Sequence, residues 1–191
     1  MKHLKPALVL LAAFTVLLGG AYPALVTGIA AVLFPHQAGG SLVVVAGHVK
    51  GSELIGQAFA DSGHFWSRPS ATSPAYNAGS SSGSNLGPSN PALDSAVRSR
   101  VAALRALDPG NTRPVPVDLV TTSASGLDPH ISPAAAEYQA SRVARARHLG
   151  AERVRQLIAR HTDGRTFGFL GEPRVNVLLL NLALDSLGGI R

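Results

Sequence analysis

The chain has 191 residues, a formal net charge of +6 and 46% hydrophobic residues, a length that favours one globular domain plus small additions. It has no cysteine, which excludes a disulfide framework, a thiolate metal site and a cysteine nucleophile. Its basic residues are arginines apart from Lys2, Lys5 and Lys50, and they are interleaved with acids, unlike the basic stripe with interspersed aromatics of a nucleic-acid binder.

From Ala7 to Phe34 no charged residue occurs. As an α-helix this stretch reaches about 42 Å, against a hydrocarbon core of about 30 Å, so it is predicted to span a membrane. Pro23 lies inside it after Gly19 and Gly20, and predicts a kink there. Lys2 and Lys5 precede the span and only His36 follows it closely. The positive-inside rule then places residues 1–6 in the cytoplasm and residues 35–191 on the other side. Gly19-Gly20-Ala21 has the small residues of a signal-peptidase site. The apolar run continues to Phe34, however, and favours a retained anchor. Gly19, Gly20, Thr27 and Gly28 are small enough for another helix to approach.

Ser41 to Val45, bounded by Gly39-Gly40 and Gly47, reads as a strand, and His48 to Ser52 as a second edge or a turn. Asp61 to Asn90 is rich in Ser, Gly, Pro and Asn, yet holds Phe65, Tyr76, Leu86 and Trp66, the chain's single tryptophan. Such a long loop with aromatics is expected to be pinned to the body and functional. Asn90-Pro91 opens a helix with Leu93, Val97, Val101, Leu104 and Leu107 on one stripe. Val115 to Thr121 reads as a strand, and Ser123 to His130 as a turn-rich connection. Ser132-Pro133 opens a second helix to about His148, closed by Gly150. Its run Arg142 to Arg147 reads as a solvated or partner-facing surface. A third helix covers Ala151 to about His161, with Val154, Leu157 and Ile158 on one face. Val175 to Leu178 reads as a strand leading into a short helix. The fold class is therefore a single N-terminal transmembrane helix plus a mixed α+β extracytoplasmic domain.

Motifs for reactive chemistry are scarce. No P-loop, dinucleotide fingerprint or H-E-x-x-H motif is present. Asp128 with His130 offers two metal-ligand types across a proline turn, and a turn role suits Asp128 better. A hydrolase could use Ser123 or Ser125 with Asp118, Asp128 and His130, although no nucleophile elbow marks a serine. A solute-binding module is a further alternative. One span without intramembrane charge does not form an ion path by itself. Asn, Gly and Pro in successive turns favour a shaped binding surface instead.

The ordered segments Gly19 to Pro23, Gly51 to Gln57, Phe65 to Ala71, Tyr76-Asn77, Gly83 to Leu86, Val115 to Thr121, Ser125 to Pro133, Gly171 to Val177 and Leu180 to Asp185 resemble the KdpC family. KdpC is the small C subunit of the bacterial high-affinity potassium-transporting ATPase. The resemblance covers nearly the whole chain; one departure is His64, where an aromatic Tyr is typical. It implies a plasma (inner) membrane complex. A channel-like subunit selects potassium, a P-type ATPase subunit hydrolyses ATP, and a tiny helix joins them. The C subunit is implied to be non-catalytic, to hold the assembly together and to act as a catalytic chaperone that raises the pump subunit's ATP affinity. ATP would then be met only through the complex, with potassium carried by a partner. No nucleotide-contacting residue can be placed on this sequence. Candidate partner contacts are Phe65, Trp66, Arg68, Ser84, Asn85, Asp128 and His130, with internal packing of the same loops as the open alternative.

Overall fold

The computed structural model describes residues 2–187. The chain divides into two compact units at Lys50–Gly51.

In the first unit, α1 (Leu4–Val16), a π-helical turn (Leu17–Ala21) and α2 (Tyr22–Leu33) follow without a break. Together they form one apolar helix of 30 residues, about 45 Å long and sufficient to cross a bilayer. The π turn is the form that the disturbance at Pro23 takes. Pro23 has no N–H, and in a regular helix its ring would press on the carbonyl of Gly19. One turn earlier the helix widens, and the Tyr22 N–H donates to the Leu17 carbonyl, five residues back. A short helix α3 (Pro35–Ala38) follows, then β1 (Leu42–Val45) and β2 (His48–Ser52), which pair as a hairpin. Its turn residues Ala46 and Gly47 have φ of 51° and 79°, the positive pair that a type I′ two-residue turn requires.

The second unit is built on helices α5 (Pro133–Ala146), α6 (Ala151–Arg160) and α7 (Val177–Ser186), with α4 (Pro91–Leu107) preceding them. A small antiparallel sheet has the order β3 (His130–Ile131), β5 (Arg174–Asn176), β4 (Thr162–Asp163). Ile131 and Thr162 flank Val175 from either side. The core joins Ile131, Val175, Val177, Leu180 and Leu184 to Ala135, Ala136, Ala140 and Val143 of α5 and to Val154, Leu157 and Ile158 of α6.

Both predicted caps are present: Asn90 accepts from the Ala92 N–H at 2.9 Å and Ser132 from the Ala135 N–H at 3.0 Å. The α4 stripe faces the body: Val97 and Val101 pack against the core half-buried, and Leu104 is buried outright. Helix α5 ends at Ala146, two residues early. His148 takes a left-handed φ of 55°, and the Leu149 N–H returns to the Ala144 carbonyl at 2.9 Å.

Val115 to Thr121 is not a strand. Val117–Leu119 forms a 3-10 turn in which the Leu119 N–H reaches the Pro116 carbonyl at 3.1 Å. Asp118 then accepts from the Ser132 N–H at 2.7 Å, so the loose alternation marks a turn that buries Leu119 and Val120 together. The strand expected at Val175 to Leu178 stops at Asn176, whose side chain caps α7 through the Leu179 N–H at 3.2 Å. Strands β3 and β4, two residues each, are too short to leave an alternating pattern. The Arg142 to Arg147 run is not a solvated face either: Arg142 and Arg147 are 4% and 3% exposed. Both point into the body, where loop carbonyls receive them; Arg145 alone lies outside and pairs with Asp108.

Candidate functional site

The 61–88 loop has no regular secondary structure, so its peptide groups need partners from elsewhere. Two buried amides supply them. Asn181 on α7 accepts from the Phe65 N–H at 2.8 Å and donates to the Phe65 carbonyl at 3.0 Å. Gln139 on α5 accepts from the Trp66 N–H at 2.8 Å and donates to the Trp66 carbonyl at 3.2 Å. Each amide imitates a strand partner for one residue, and Phe65 is 0% exposed as a result.

Arg142, one turn after Gln139, fastens the loop's entry. Its guanidinium donates to the carbonyls of Ser62 at 2.6 Å, His64 at 3.0 Å and Asp61 at 3.3 Å, and to Gln139 Oε1 at 2.7 Å. It lies 5.6 Å from the centre of the Trp66 ring, a cation–π distance. Burial draws its pKa down to about 10, opposed by Asp108 and Asp61, so it stays charged at neutral pH. Arg147 adds a second fastening, donating to the Gly63 carbonyl and to Asp185, both at 2.6 Å. His64 bridges the same region, with Nδ1 2.7 Å from Asp61 and Nε2 3.2 Å from Asp185. Burial raises the Asp61 carboxyl, but the bonds from His64 and the Gly63 N–H outweigh it and hold the group below the usual carboxylate value.

Beyond Trp66 the loop meets the 122–130 segment. Arg68 donates to Asp128 at 3.2 Å and to the Thr122 carbonyl at 3.1 Å. The Thr122 hydroxyl donates to Ser84 at 3.2 Å. Asp128 accepts from the His130 N–H at 3.0 Å, the turn role expected of it, and lies 3.4 Å from His130 Nδ1. Burial raises the Asp128 carboxyl, while the bonds from His130 and the Arg68 charge bring it below its ordinary value. The Tyr76 hydroxyl donates to the Arg68 carbonyl, and the Ser70 hydroxyl to the Gly126 carbonyl at 2.6 Å. Gly126, with φ 68°, sits so close to the Ser82 carbonyl that a Cβ there would lie 2.5 Å from it.

Arg68, Ser84, Asp128 and His130 are thus brought together through Thr122. Asn85, adjoining Ser84, is exposed and left-handed at φ 53°. Trp66 is half-buried on the far side of Arg68, and the Phe65 side chain lies wholly in the core. A cavity of about 240 Å³ opens between this loop and α4, lined by Trp66, Arg68, Tyr76, Arg100, Leu104 and Leu119 among others. The serines weighed as nucleophiles serve turns: Ser123 accepts from the Gly126 N–H at 2.9 Å and Ser125 from the Leu127 N–H at 3.1 Å. Sequence reasoning missed Gln139, Arg142, Arg147, Thr122 and Asn181. A faint signal existed for three: Gln139 and Arg142 share the buried face of α5 at a spacing of three, and Asn181 interrupts an apolar helix.

The family model described as "KdpC: K+-transporting ATPase, c chain" matches residues 4–186. A protein of Methylococcus capsulatus named "Potassium-transporting ATPase KdpC subunit" is 65% identical over 188 residues, covering 98% of this chain and 99% of its own length. Proteins of the same name from Sorangium cellulosum and Polaromonas naphthalenivorans are each 65% identical, over 97% and 98% of this chain and 98% and 96% of their own lengths. With one apolar N-terminal helix and a loop-faced domain of helices and a small sheet, matched end to end, the chain belongs to the KdpC family, the accessory C subunit of the potassium-transporting ATPase.

Proposed function

We propose that the chain acts as a non-catalytic clasp. It is anchored in the plasma (inner) membrane by residues 7–34, with residues 1–6 cytoplasmic and residues 35–191 extracytoplasmic. It stabilises the assembly of the potassium-selecting and ATP-hydrolysing subunits together with the small joining subunit. Potassium is carried by the selecting subunit. The pump subunit's affinity for ATP responds to this chain through the assembly, because an extracytoplasmic domain does not meet cytoplasmic nucleotide.

The observation that carries this reading is the linked set Arg68, Asp128, His130 and Thr122, half-exposed, with exposed Ser84, where the 122–130 segment meets a loop that buried amides hold at Phe65 and Trp66. A surface ordered in advance loses little conformational entropy on binding a partner. Lys2 and Lys5, at the start of the apolar helix, support the orientation.

Co-purification from membranes containing the whole transporter tests the clasp. His130→Ala and Arg68→Ala, each shown by melting to be folded, are expected to lower recovery of the other subunits; full recovery and unchanged potassium uptake in both would remove the assignment. The absence of native cysteine makes the orientation equally accessible. A single cysteine at exposed Ser81 is expected to react with a membrane-impermeant maleimide in intact cells, and reaction only after permeabilisation would reverse the topology.

A further inference from the structure

The connection between β4 and β5 carries an apolar tip that nothing among the described residues covers. Phe167, Phe169 and Leu170 are 84%, 70% and 50% exposed. Among the described residues from 51 onward, the other large apolar side chains so exposed are Leu54 and Val117, so three of five fall within four consecutive positions. Clustered exposed apolar surface on an otherwise well-packed unit marks an interaction site.

The tip is a built structure. The Thr166 N–H donates to the Leu170 carbonyl at 2.9 Å, and the Leu170 N–H returns to Thr166 at 3.0 Å. The Gly168 N–H closes the turn on the Arg165 carbonyl at 3.0 Å. Below it, Arg165 grips both oxygens of Glu172 at 2.9 and 2.8 Å. Phe167 holds a left-handed φ of 54° and Gly168 one of 82°, which folds the chain back sharply between the two aromatic rings.

Charge distinguishes the two natural occupants of such a surface, a lipid headgroup layer and a protein recess. An interfacial membrane anchor draws anionic headgroups with unpaired basic side chains. Here Arg165 is matched by Glu172, and Arg174 lies 3.9 Å from Asp163 across the β4–β5 pair. The stem's exposed charges are therefore paired with one another, and the tip above them presents aromatic and aliphatic surface inside a polar surround, as a protein interface with an apolar centre and a polar rim does.

We infer that the Thr166–Leu170 hairpin tip is a docking hook, which inserts Phe167 and Phe169 into an apolar recess on another subunit of the same transporter. This rests on the assembly reading above but names a different surface, one that lies outside the Arg68, Asp128 and His130 set.

The test uses the full chain co-expressed with the other subunits. A benzophenone amino acid is placed at Phe167 and, as a control, at exposed Gln156 on α6. Phe167→Ser/Phe169→Ser is examined in parallel, with its melting temperature compared with that of the unaltered chain. Light-dependent coupling from position 167 to another subunit, absent at 156, is expected. So is a loss of about tenfold or more in recovered complex for a double variant that melts as the unaltered chain does. Coupling only to lipid, only to a second copy of this chain or to nothing, while the unaltered chain still co-purifies with the transporter, would overturn the hook and leave the assembly reading standing. Failure of the unaltered chain itself to co-purify would overturn both. Should the serine variant misfold, the coupling pattern at 167 decides alone.

Discussion

Asn181 and Gln139 hold consecutive residues of one loop: Asn181 closes a two-way hydrogen-bonded pair on Phe65 and Gln139 closes one on Trp66. They come from different helices, so the loop can follow its path only where α5 and α7 are correctly packed. Asn181→Leu keeps the volume and removes both bonds, leaving a buried N–H and carbonyl without partners. A loss of stability of about 2–4 kcal/mol is expected, measured by chemical denaturation. Gln139→Leu should act similarly, and the double variant should fall short of the sum, because both residues fasten one segment.

Arg142 serves three carbonyls, and lysine cannot reproduce its planar fork. Arg142→Met should destabilise by about 3 kcal/mol through orphaned acceptors, with Arg142→Lys intermediate. Both variants should change the emission of Trp66, the single tryptophan, because the guanidinium over its ring is lost.

Acid should loosen the contact between the two loops. The Asp128 carboxyl is held below its ordinary value of 3.8 in the folded chain. A group depressed by folding stabilises fully above its unfolded pKa, and that contribution disappears as pH falls through the folded value. Stability should therefore decline below about pH 4 and not above it. Asp128→Asn should already be weakened at neutral pH and should show a shallower decline on acidification, read from denaturation midpoints across that range. Asp61, depressed in the same direction, adds to the same slope.

At Gly126 both backbone and space exclude a side chain. An alanine there would hold φ near 68° and set its Cβ 2.5 Å from the Ser82 carbonyl. Gly126→Ala should cost about 2 kcal/mol or more and separate the 82–125 contact. Hydrogen exchange of the Ser82 amide, which donates to the Ser125 carbonyl at 2.9 Å, should accelerate more than that of the core of α5.

What was legible in the sequence is what short-range chemistry encodes. Asn90 and Ser132 announced their helices because a cap depends on neighbours two or three residues away. The apolar span needed only its length, and Val154, Leu157 and Ile158 needed only their spacing. The 61–90 loop was recognised as pinned from its aromatics, but its fasteners were invisible, because Gln139, Arg142 and Asn181 lie from 73 to 116 residues away from their partners. Arg142 shows the difficulty clearly. An arginine in an Arg-rich run looks solvated until the carbonyls that replace water are in view. The Phe167 hairpin went unremarked because nothing local distinguishes an exposed aromatic from a buried one.

The widened turn at Leu17–Ala21 has a consequence for the anchor's neighbours. One extra residue in a turn rotates everything beyond it by roughly 100° relative to an unbroken α-helix. Side chains of α1 and α2 that would have lined a common seam therefore point along different azimuths. A companion rod lying straight against the whole length would meet one flank of the first half and another flank of the second. The helix thus carries two differently directed faces, one on each side of the widened turn.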